Sequence, residues 1–414
     1  MKKISGVILS LTLLAGACTG TGEDTLRVGA LYPLSGSQGQ GGIDEHRGVL
    51  LAAELANADG VTGRPIEILS IDVPGSDAAP GAVARLADEG VELVLGSYGS
   101  ATSARVAGAT ASRGMLFWET GAVGMLPVEA RRGELTFRVP PTGGLLGSSA
   151  IGFVAEHLAP SMDRDAEQLR FAVTFVDDVY GRSVAGGAIR ELRDRGLRLV
   201  ARLGYDYRTL DPDTLARRVE ASGADVLFVS AYMSDGIALR RALVDNGVDL
   251  LASIGTSSSY CMPEFGDALG IDAVGLFASD KPAAEPLNPD GLTPDAAALL
   301  ERANAAYRER WGEDMSPPAL AGFSAAWALF AHVLPAASDA GPASVAAAAL
   351  AAELPLGGLP NGSGLRFAGP GEAGAGDNLA AASVIWEWVA PGHAEVVWPP
   401  AFATHPIDPR DITP

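Results

Sequence analysis

The sequence is poor in lysine and cysteine, and both shortages narrow what the protein can be. Among its 414 residues the lysines are Lys2, Lys3 and Lys281, and the net charge at pH 7 is −20. Because no basic stripe exists to neutralise phosphates, we expect no nucleic-acid partner. The cysteines are Cys18 and Cys261, which are too few for a disulfide framework. Glycine is abundant, with 51 residues, and the composition is globular rather than disordered.

Motifs for nucleotide binding, catalysis and metal binding are also missing where they would be expected. The glycine-rich loop "GSYGSATS" fits neither the phosphate loop nor the dinucleotide fingerprint, and it lacks the frame of a nucleophile elbow. The five histidines show no metal-ligand spacing. We therefore expect no cofactor, no metal and no enzymatic activity. A secreted hydrolase is the weaker alternative. It would need a nucleophile–base pair or a metal cluster, and the sequence shows neither.

The N-terminus predicts export. A positive "MKK" precedes an apolar stretch that is too short for a comfortable membrane span, and Ala15-Gly16-Ala17 satisfies the small-residue rule for cleavage before Cys18. Residues 1–17 are thus predicted to be a signal peptide. The pattern resembles the bacterial lipoprotein signal, which implies a lipidated Cys18 and a tether over 18–24, although Leu14 lies one place further from the cysteine than is usual. Simple secretion is the alternative. Beyond the signal we expect no apolar stretch long enough to span a bilayer.

Strand and helix patterns alternate along the rest of the chain. Residues 44–60 show the pattern clearly, because Val49, Ala52, Ala53 and Ala56 lie on one helical face and Gly60 follows the end. The intervening strands are almost wholly apolar, which indicates parallel sheets covered on both faces. A segment "FRVPPTGG" separates two such series. The predicted class is α/β.

Two further local predictions come from the second series and the tail. Asp211 and Pro212 are placed as N-cap and first residue of a helix. Asp177-Asp178, which could be a carboxylate pair, is more simply a helix N-cap region. The tail contains one clear strand, "AASVIWEWV", whose alternating pattern and aromatic residues favour an edge strand.

The segment "VELVLGSYGSATSAR" (91–105) predicts a binding loop. It joins a strand end to a helix start, where ligands bind in open parallel sheets and where unpaired N–H groups favour an anion. Ser100, Thr102 and Ser103 add hydroxyl groups. The alternative is that these hydroxyls only cap their own helix.

Four segments follow one another in a specific order and spacing. They are "LRVGALYPLSGSQGQGG", "VELVLGSYGSATSARVAGATASRGMLFWETGA", "FAVTFVDDVYGRSVAGGAIRELRDRGLRLV" and "ADVLFVSAYMSDGIALRRALVDNGVDLLASIGT". Together they resemble the substrate-binding lipoproteins of branched-chain amino acid ABC transporters, the Leu/Ile/Val-binding type, and the likeness extends over roughly residues 25–390.

The resemblance implies a fold and a domain arrangement. The expected fold is that of type I periplasmic binding proteins, with two Rossmann-like lobes of parallel sheet joined by a multi-strand hinge. Lobe 1 is predicted over 25–139 plus 282–345, lobe 2 over 140–281 plus 346–395, and a C-terminal tail over 396–414.

The resemblance also assigns site residues. Ser100 falls on the serine that grips the ligand's carboxylate, Gly121 and Ala122 fall on a pair that contacts it through the backbone, and Tyr180 and Tyr232 fall on aromatic residues of the second lobe. The full set of predicted ligand-binding residues is Tyr98, Ser100, Glu119, Gly121, Ala122, Tyr180, Tyr232 and Ser257.

The sequence departs from the family pattern at three positions. Gly41 stands where an aromatic residue is frequent, and Val123 replaces a threonine. The acid that pairs with the ligand's ammonium would fall near Ser257, in "GTSSSY", where none occurs. Because a buried ammonium without a counter-charge is costly, either Glu119 or Asp235 supplies the acid or the ligand is not an α-amino acid.

The implied function is that of an extracytoplasmic receptor for an ABC importer, anchored to a bacterial membrane by lipid. It would close its lobes around a small carboxylate-bearing ligand, such as an amino acid or an amide, and present it to permease subunits. A ligand sensor or regulator on the same fold is the alternative.

Overall fold

Short apolar strands separated by helices fold here into two sheets that face each other across a cleft. The computed structural model of the protein describes residues 25–127, 130, 134–285 and 287–409. The predicted signal peptide, Cys18 and the tether lie outside these residues. The alternating α/β architecture predicted from the sequence is confirmed.

The sheet of the first lobe has five parallel strands in the order β2-β1-β3-β4-β5. Its central strands β3 and β4 are wholly buried, as expected for strands covered by helices on both faces. The strands are β1 Leu26–Tyr32, β2 Ile66–Asp72, β3 Leu93–Gly96, β4 Leu116–Glu119 and β5 Thr136–Arg138.

The sheet of the second lobe has seven strands in the order β12-β11-β10-β9-β8-β6-β7. The strands β6 to β10 are parallel to one another, whereas β11 and β12 run antiparallel to their neighbours. They are β6 Arg170–Val176, β7 Arg198–Tyr205, β8 Val226–Ser230, β9 Ala252–Thr256, β10 Phe277–Asp280, β11 Val384–Ala390 and β12 His393–Trp398.

Helices cover the faces of both sheets. The α-helices with at least seven described residues are α1 Gly39–Asp59, α2 Ala79–Asp88, α3 Ser100–Ala111, α4 Gly143–Phe153, α5 Val179–Asp194, α6 Pro212–Ser222, α7 Met233–Asp245, α8 Pro263–Leu269, α9 Pro294–Trp311, α10 Pro317–Trp327 and α11 Pro342–Ala351. Helices α4 and α10 each continue into a turn of π-helix.

The predicted helix ends agree with the structure. The side chain of Asp211 accepts a hydrogen bond from the backbone nitrogen of Thr214, and Pro212 is the first residue of α6. Asp178 caps α5 by accepting a hydrogen bond from Gly181 N at 3.0 Å. Gly60 follows α1 in the left-handed conformation, with φ of 65°.

The C-terminal region departs from the predicted domain boundaries. The chain from 346 onwards was assigned to lobe 2, yet Phe367 packs its ring on Trp118 of β4 and on Phe137 of β5. The backbone of Arg138 in β5 also bonds to residues 376 and 378. This part of the chain therefore lies against the first lobe before it enters β11, and the boundary predicted at residue 396 cuts through β12.

Two other expectations were wrong. The strand β11 is not an edge strand, because it pairs with β10 on one side and β12 on the other. Its aromatic residues Trp386 and Trp388 are buried accordingly. The helical segment Pro317–Ala336 is long and apolar enough to span a membrane by length and composition, contrary to the expectation that no such stretch exists. However, 78% of its most apolar window is buried inside the protein, as in a core helix.

Helices α1 and α10 pack closely because glycines lie at their contact. A Cβ atom on Gly48 would lie 2.0 Å from Ala319 O, and one on Gly322 would lie 2.2 Å from Glu45 O. Neither distance is compatible with a side chain unless the helices separate. The backbone contact positions Glu45, which lies beneath the cleft.

We therefore predict that Gly322→Ala lowers the free energy of unfolding by about 1–3 kcal/mol, because the extra methyl group forces two backbones apart. The matched control is Gly108→Ala in α3, where an added Cβ meets no atom within 4 Å. This control should raise the free energy of unfolding by up to about 1 kcal/mol through helix propensity. Urea denaturation measures both. Equal effects of the two substitutions would contradict the packing argument.

Candidate ligand-binding site

A small cavity lies between the lobes at the carboxyl ends of their strands. Six of the eight predicted ligand-binding residues line it, namely Tyr98, Ser100, Gly121, Tyr180, Tyr232 and Ser257. The residues that it adds to the prediction include Gln38, Val123, Met262, Asp280 and Lys281. An open groove that shares Gln38 and Tyr232 with the cavity leads from it to solvent between the two lobes.

Ser100 is held at the start of α3 by a contact outside its own helix. Gly99 is the N-cap residue of α3, and no side chain caps this helix. Instead, Ser100 Oγ accepts a hydrogen bond from Gly124 N at 3.0 Å. The alternative that the hydroxyl caps its own helix is therefore not what the structure shows. Because its oxygen acts as the acceptor, the Ser100 hydroxyl keeps its hydrogen to donate to a ligand.

Glu119 lies at the end of β4 and binds the loops of its own lobe. Its Oε1 accepts hydrogen bonds from the backbone nitrogens of Ser97, Gly121 and Ala122 at 3.0, 2.9 and 2.8 Å. Its Oε2 accepts a hydrogen bond from Ser103 Oγ. Burial raises the pKa of Glu119. The two N–H groups that the resemblance assigned to the ligand thus already bond within the protein, and neither Glu119 nor Ala122 lines the cavity.

Tyr98 accounts for the glycine at position 41. A Cβ atom on Gly41 would lie 2.2 Å from the phenol oxygen of Tyr98, so the tyrosine ring covers that glycine. Tyr98 has φ of 62°, a left-handed conformation that is uncommon for a bulky residue. The family pattern expects an aromatic residue at position 41, and here the ring of Tyr98, from the loop after β3, occupies that place instead. Burial raises the pKa of the Tyr98 phenol.

Two tyrosines form the second-lobe wall. The rings of Tyr180 and Tyr232 pack with centroids 5.4 Å apart. The Tyr180 hydroxyl bonds to Thr256 Oγ1 at 3.1 Å and donates to Ser257 O. The Tyr232 hydroxyl donates to Asp178 Oδ2 at 2.6 Å. Both rings are therefore fixed before a ligand arrives, which lowers the entropy cost of binding.

Asp280 is the acid that the sequence neighbourhood of Ser257 lacks. Ser257 Oγ donates to Asp280 Oδ1 at 2.8 Å, and Cys261 Sγ donates to Asp280 Oδ2 at 2.7 Å. The sequence shows no acid close to Ser257 along the chain, but in the folded protein Asp280 lies beside it. Asp235, one of the proposed substitutes, instead accepts hydrogen bonds from Tyr205 and from the backbone of Tyr232 and does not line the cavity.

Lys281 follows Asp280 and extends to the first lobe. Its Nζ donates to Gly121 O at 3.0 Å, and the residue is 4% exposed. The sequence contained a signal for both residues: they follow a buried strand of a parallel sheet, and Lys281 is the only lysine after residue 3. The strand-end rule, applied to β10 as it was to β3, would have found them.

Glu45 lies beneath the cavity without full hydrogen bonding. Its Oε1 accepts a hydrogen bond from Thr120 Oγ1 at 2.6 Å, whereas Oε2 has no partner among the described residues. Burial, followed by the negative charge of Glu119, raises the pKa of Glu45 to about 8, and the cation of Lys281 opposes this shift. The raised pKa favours the protonated form of this carboxyl group in the folded protein.

Glu45 should make stability depend on pH. A carboxyl whose pKa is higher in the folded than in the unfolded state favours folding less as the pH rises from its unfolded value of 4.5 to its folded value of about 8. We predict that Glu45→Gln removes this loss of stability. The difference in free energy of unfolding between the variant and the parent protein should therefore rise, in favour of the variant, by about 1 kcal/mol or more from pH 5 to pH 9. Thermal unfolding across this range measures it. The control is Glu54→Gln, an exposed position of α1. Parallel pH profiles for Glu45→Gln and the parent would contradict the prediction.

Taken together, two α/β lobes enclose a cavity lined by hydroxyl groups, aromatic rings, one acid and one base. Among the described residues no group of His, Cys, Asp and Glu side chains could hold a metal. The arrangement defines a two-lobe protein that binds a small polar ligand in its cleft.

Comparison with known proteins gives the family. The family model for periplasmic binding proteins matches residues 25–374, so the chain belongs to that family, whose members are extracytoplasmic binding proteins and not enzymes. Leu/Ile/Val-binding protein homolog 8 of Brucella abortus (strain 2308) is 28% identical over 366 residues, covering 87% of this chain and 88% of the relative.

Two solved structures show the same fold. The leucine-binding protein LivK of Thermotoga maritima matches with a TM-score of 0.74 at 17% identity, over 90% of this chain and 97% of that one. An ABC transporter substrate-binding protein of Desulfitobacterium hafniense in complex with leucine matches with a TM-score of 0.68 at 21% identity, over 90% and 100%. The predicted type I periplasmic binding fold is confirmed.

Proposed function

We propose that this protein is the receptor of an ABC importer and that it binds a small amino acid, or a related carboxylate with a cationic or hydrogen-bond-donating group. The observation that carries the proposal is the Asp280 carboxylate, which lines the interlobe cavity 2.8 Å from Ser257 Oγ. It supplies the buried negative charge that a ligand's ammonium needs. The leucine complex of the Desulfitobacterium protein and the name of the Brucella relative support an amino acid.

The cavity selects its ligand by closure of the two lobes. Ser100 and Tyr98 belong to the first lobe, whereas Tyr180, Tyr232 and Asp280 belong to the second. A ligand contacts both sets only when the lobes are shut, so binding stabilises the closed form over the open one. The closed form would then be recognised by membrane permease subunits. A sensor that reports the same closure to a signalling partner remains the alternative.

Export and anchoring complete the proposal. Residues 1–17 have the composition of a signal peptide, and Cys18 follows a small-residue cleavage site. We propose that Cys18 is lipidated and that 18–24 tether the binding domain to a bacterial membrane.

A thermal-shift screen tests the ligand class. A compound that binds only the folded protein raises its apparent stability by mass action. The twenty L-amino acids, their amides and short carboxylic acids form the panel. A shift with one or more amino acids supports the proposal, and its absence across the panel rejects an amino-acid receptor.

Asp280→Asn should weaken binding of the amino acid found by the screen by about 2–3 kcal/mol, because the ligand's ammonium loses its charged acceptor. The same variant should bind the ligand's analogue without the amino group nearly as well as the parent protein does. Isothermal titration calorimetry measures both. The control is Asp267→Asn, which removes the same charge at an exposed position of α8. An equal loss with both ligands would assign Asp280 a structural role instead.

Ser100→Ala should weaken the same complex by about 1–3 kcal/mol if the hydroxyl donates to a charged group. Its control is Ser148→Ala in α4, whose hydroxyl donates only to the backbone of its own helix, at Leu145 O. Affinity is again measured by calorimetry. Unchanged affinity for Ser100→Ala would exclude the serine as a carboxylate ligand.

A further inference from the structure

We propose that Lys281 binds the ligand's carboxylate, in place of the backbone N–H groups of Gly121 and Ala122 to which the resemblance assigns this part. The inference rests on the proposed function, because it concerns the same cavity and a carboxylate-bearing ligand. It goes beyond that function by naming the cation that determines which end of the ligand meets the first lobe.

Three backbone donors in the loop after β4 are already bonded. The N–H groups of Gly121 and Ala122 donate to Glu119 Oε1 at 2.9 and 2.8 Å, and that of Gly124 donates to Ser100 Oγ at 3.0 Å. A carboxylate could take them only by displacing a buried glutamate or the serine. Such an exchange replaces one charged hydrogen bond by another and yields little binding energy. The loop after β4 therefore offers no free backbone donor, and the donors left for a carboxylate are the Ser100 hydroxyl, the uncapped start of α3 and a side chain of the cavity.

Lys281 has donors to offer. Its ammonium carries three protons, and among the described residues its hydrogen-bond acceptor is Gly121 O at 3.0 Å. Within the same part of the chain no ion pair joins Lys281 to a carboxylate at 4.0 Å or less, although the ammonium is close enough to Glu45 to lower the pKa of that carboxyl group. The residue is 4% exposed and lines the cavity. A buried cation without a counter-ion is costly, and an anion entering the cavity removes that cost.

Asp280 does not neutralise its neighbour. Its two carboxylate oxygens accept hydrogen bonds from Ser257 Oγ and Cys261 Sγ, which lie on the second-lobe side. Lys281 instead points to Gly121 of the first lobe. The cavity therefore contains one acid and one base that each face a different lobe. A ligand with both charges satisfies both, with its carboxylate at Lys281 and its cationic end at Asp280.

The test compares carboxylates with their amides in charge variants. Lys281→Met removes the cation, Lys281→Arg keeps it, and Arg218→Met is the control that removes a cation from an exposed position of α6. The probes are the twenty L-amino acids and their amides, with affinities measured by calorimetry. We expect Lys281→Met to weaken binding of the amino acid by about 10- to 100-fold and to weaken binding of its amide much less. Lys281→Arg should keep part of the affinity, and Arg218→Met all of it.

A second measurement uses the rarity of lysine in the chain. Apart from Lys2 and Lys3, Lys281 is the only lysine open to reductive methylation, and mass spectrometry of peptides separates it from those two and from the N-terminal amino group. A bound amino acid should protect Lys281 from methylation at saturating concentration. In the presence of the amino acid's amide, protection should be weaker.

The possible results distinguish failure of the Lys281 inference from failure of the proposed receptor function. If the parent protein binds an amino acid and Lys281→Met loses affinity equally for acid and amide, Lys281 serves the packing of the hinge and the inference is overturned while the receptor function stands. Unchanged affinity for the acid in Lys281→Met has the same meaning. If no amino acid binds to the parent protein, the proposed function fails and the inference fails with it.

Discussion

The buried carboxylate of Glu119 is the interaction on which the first-lobe side of the cleft depends. It binds the loop after β3 through Ser97 N, the loop after β4 through two backbone nitrogens, and α3 through the Ser103 hydroxyl. A single charge at a strand end thus joins three segments that would otherwise leave unpaired N–H groups at the cleft. Ser100 and Tyr98 owe their positions to this arrangement, because they lie between the segments it joins.

Using a glutamate in this way changes the electrostatics of the cleft. Burial raises the pKa of both Glu45 and Glu119, and each occupies space beneath the cavity floor of the first lobe. Binding a second anion there, such as a ligand carboxylate, is unfavourable unless a cation lies close by. The Lys281 ammonium is that cation, since it contacts Gly121 directly above Glu45 and lowers the pKa of Glu45.

The alternation of strands and helices predicted the α/β class, the strand-end rule pointed to the Ser100 loop, and the family resemblance supplied the two-lobe fold and most of the other cavity residues. Ser100 and Tyr180 follow strands whose ends are plain in the sequence. Asp280 lies far from Ser257 along the chain, and only the β9–β10 register, in which Ser279 pairs with Thr256, brings the two together. The next residue on each strand is then a neighbour in space. Nor could the sequence show that Tyr98 covers Gly41, because this depends on a left-handed backbone at Tyr98.

The position of Asp280 and Lys281 on the chain links recognition of the ligand to movement of the lobes. Asp280 is the last residue of β10 in the second lobe and Lys281 follows it, just before the chain passes to the first lobe, where Ala284 N already bonds to Met315 O. A hinge strand changes its backbone angles when the lobes open, so charges placed on it move with the opening. In the closed form the Lys281 ammonium reaches Gly121, and separation of the lobes would withdraw it from the first-lobe wall. A ligand that needs this cation is therefore held only by the closed protein, which is the property that a receptor presenting its ligand to a permease requires.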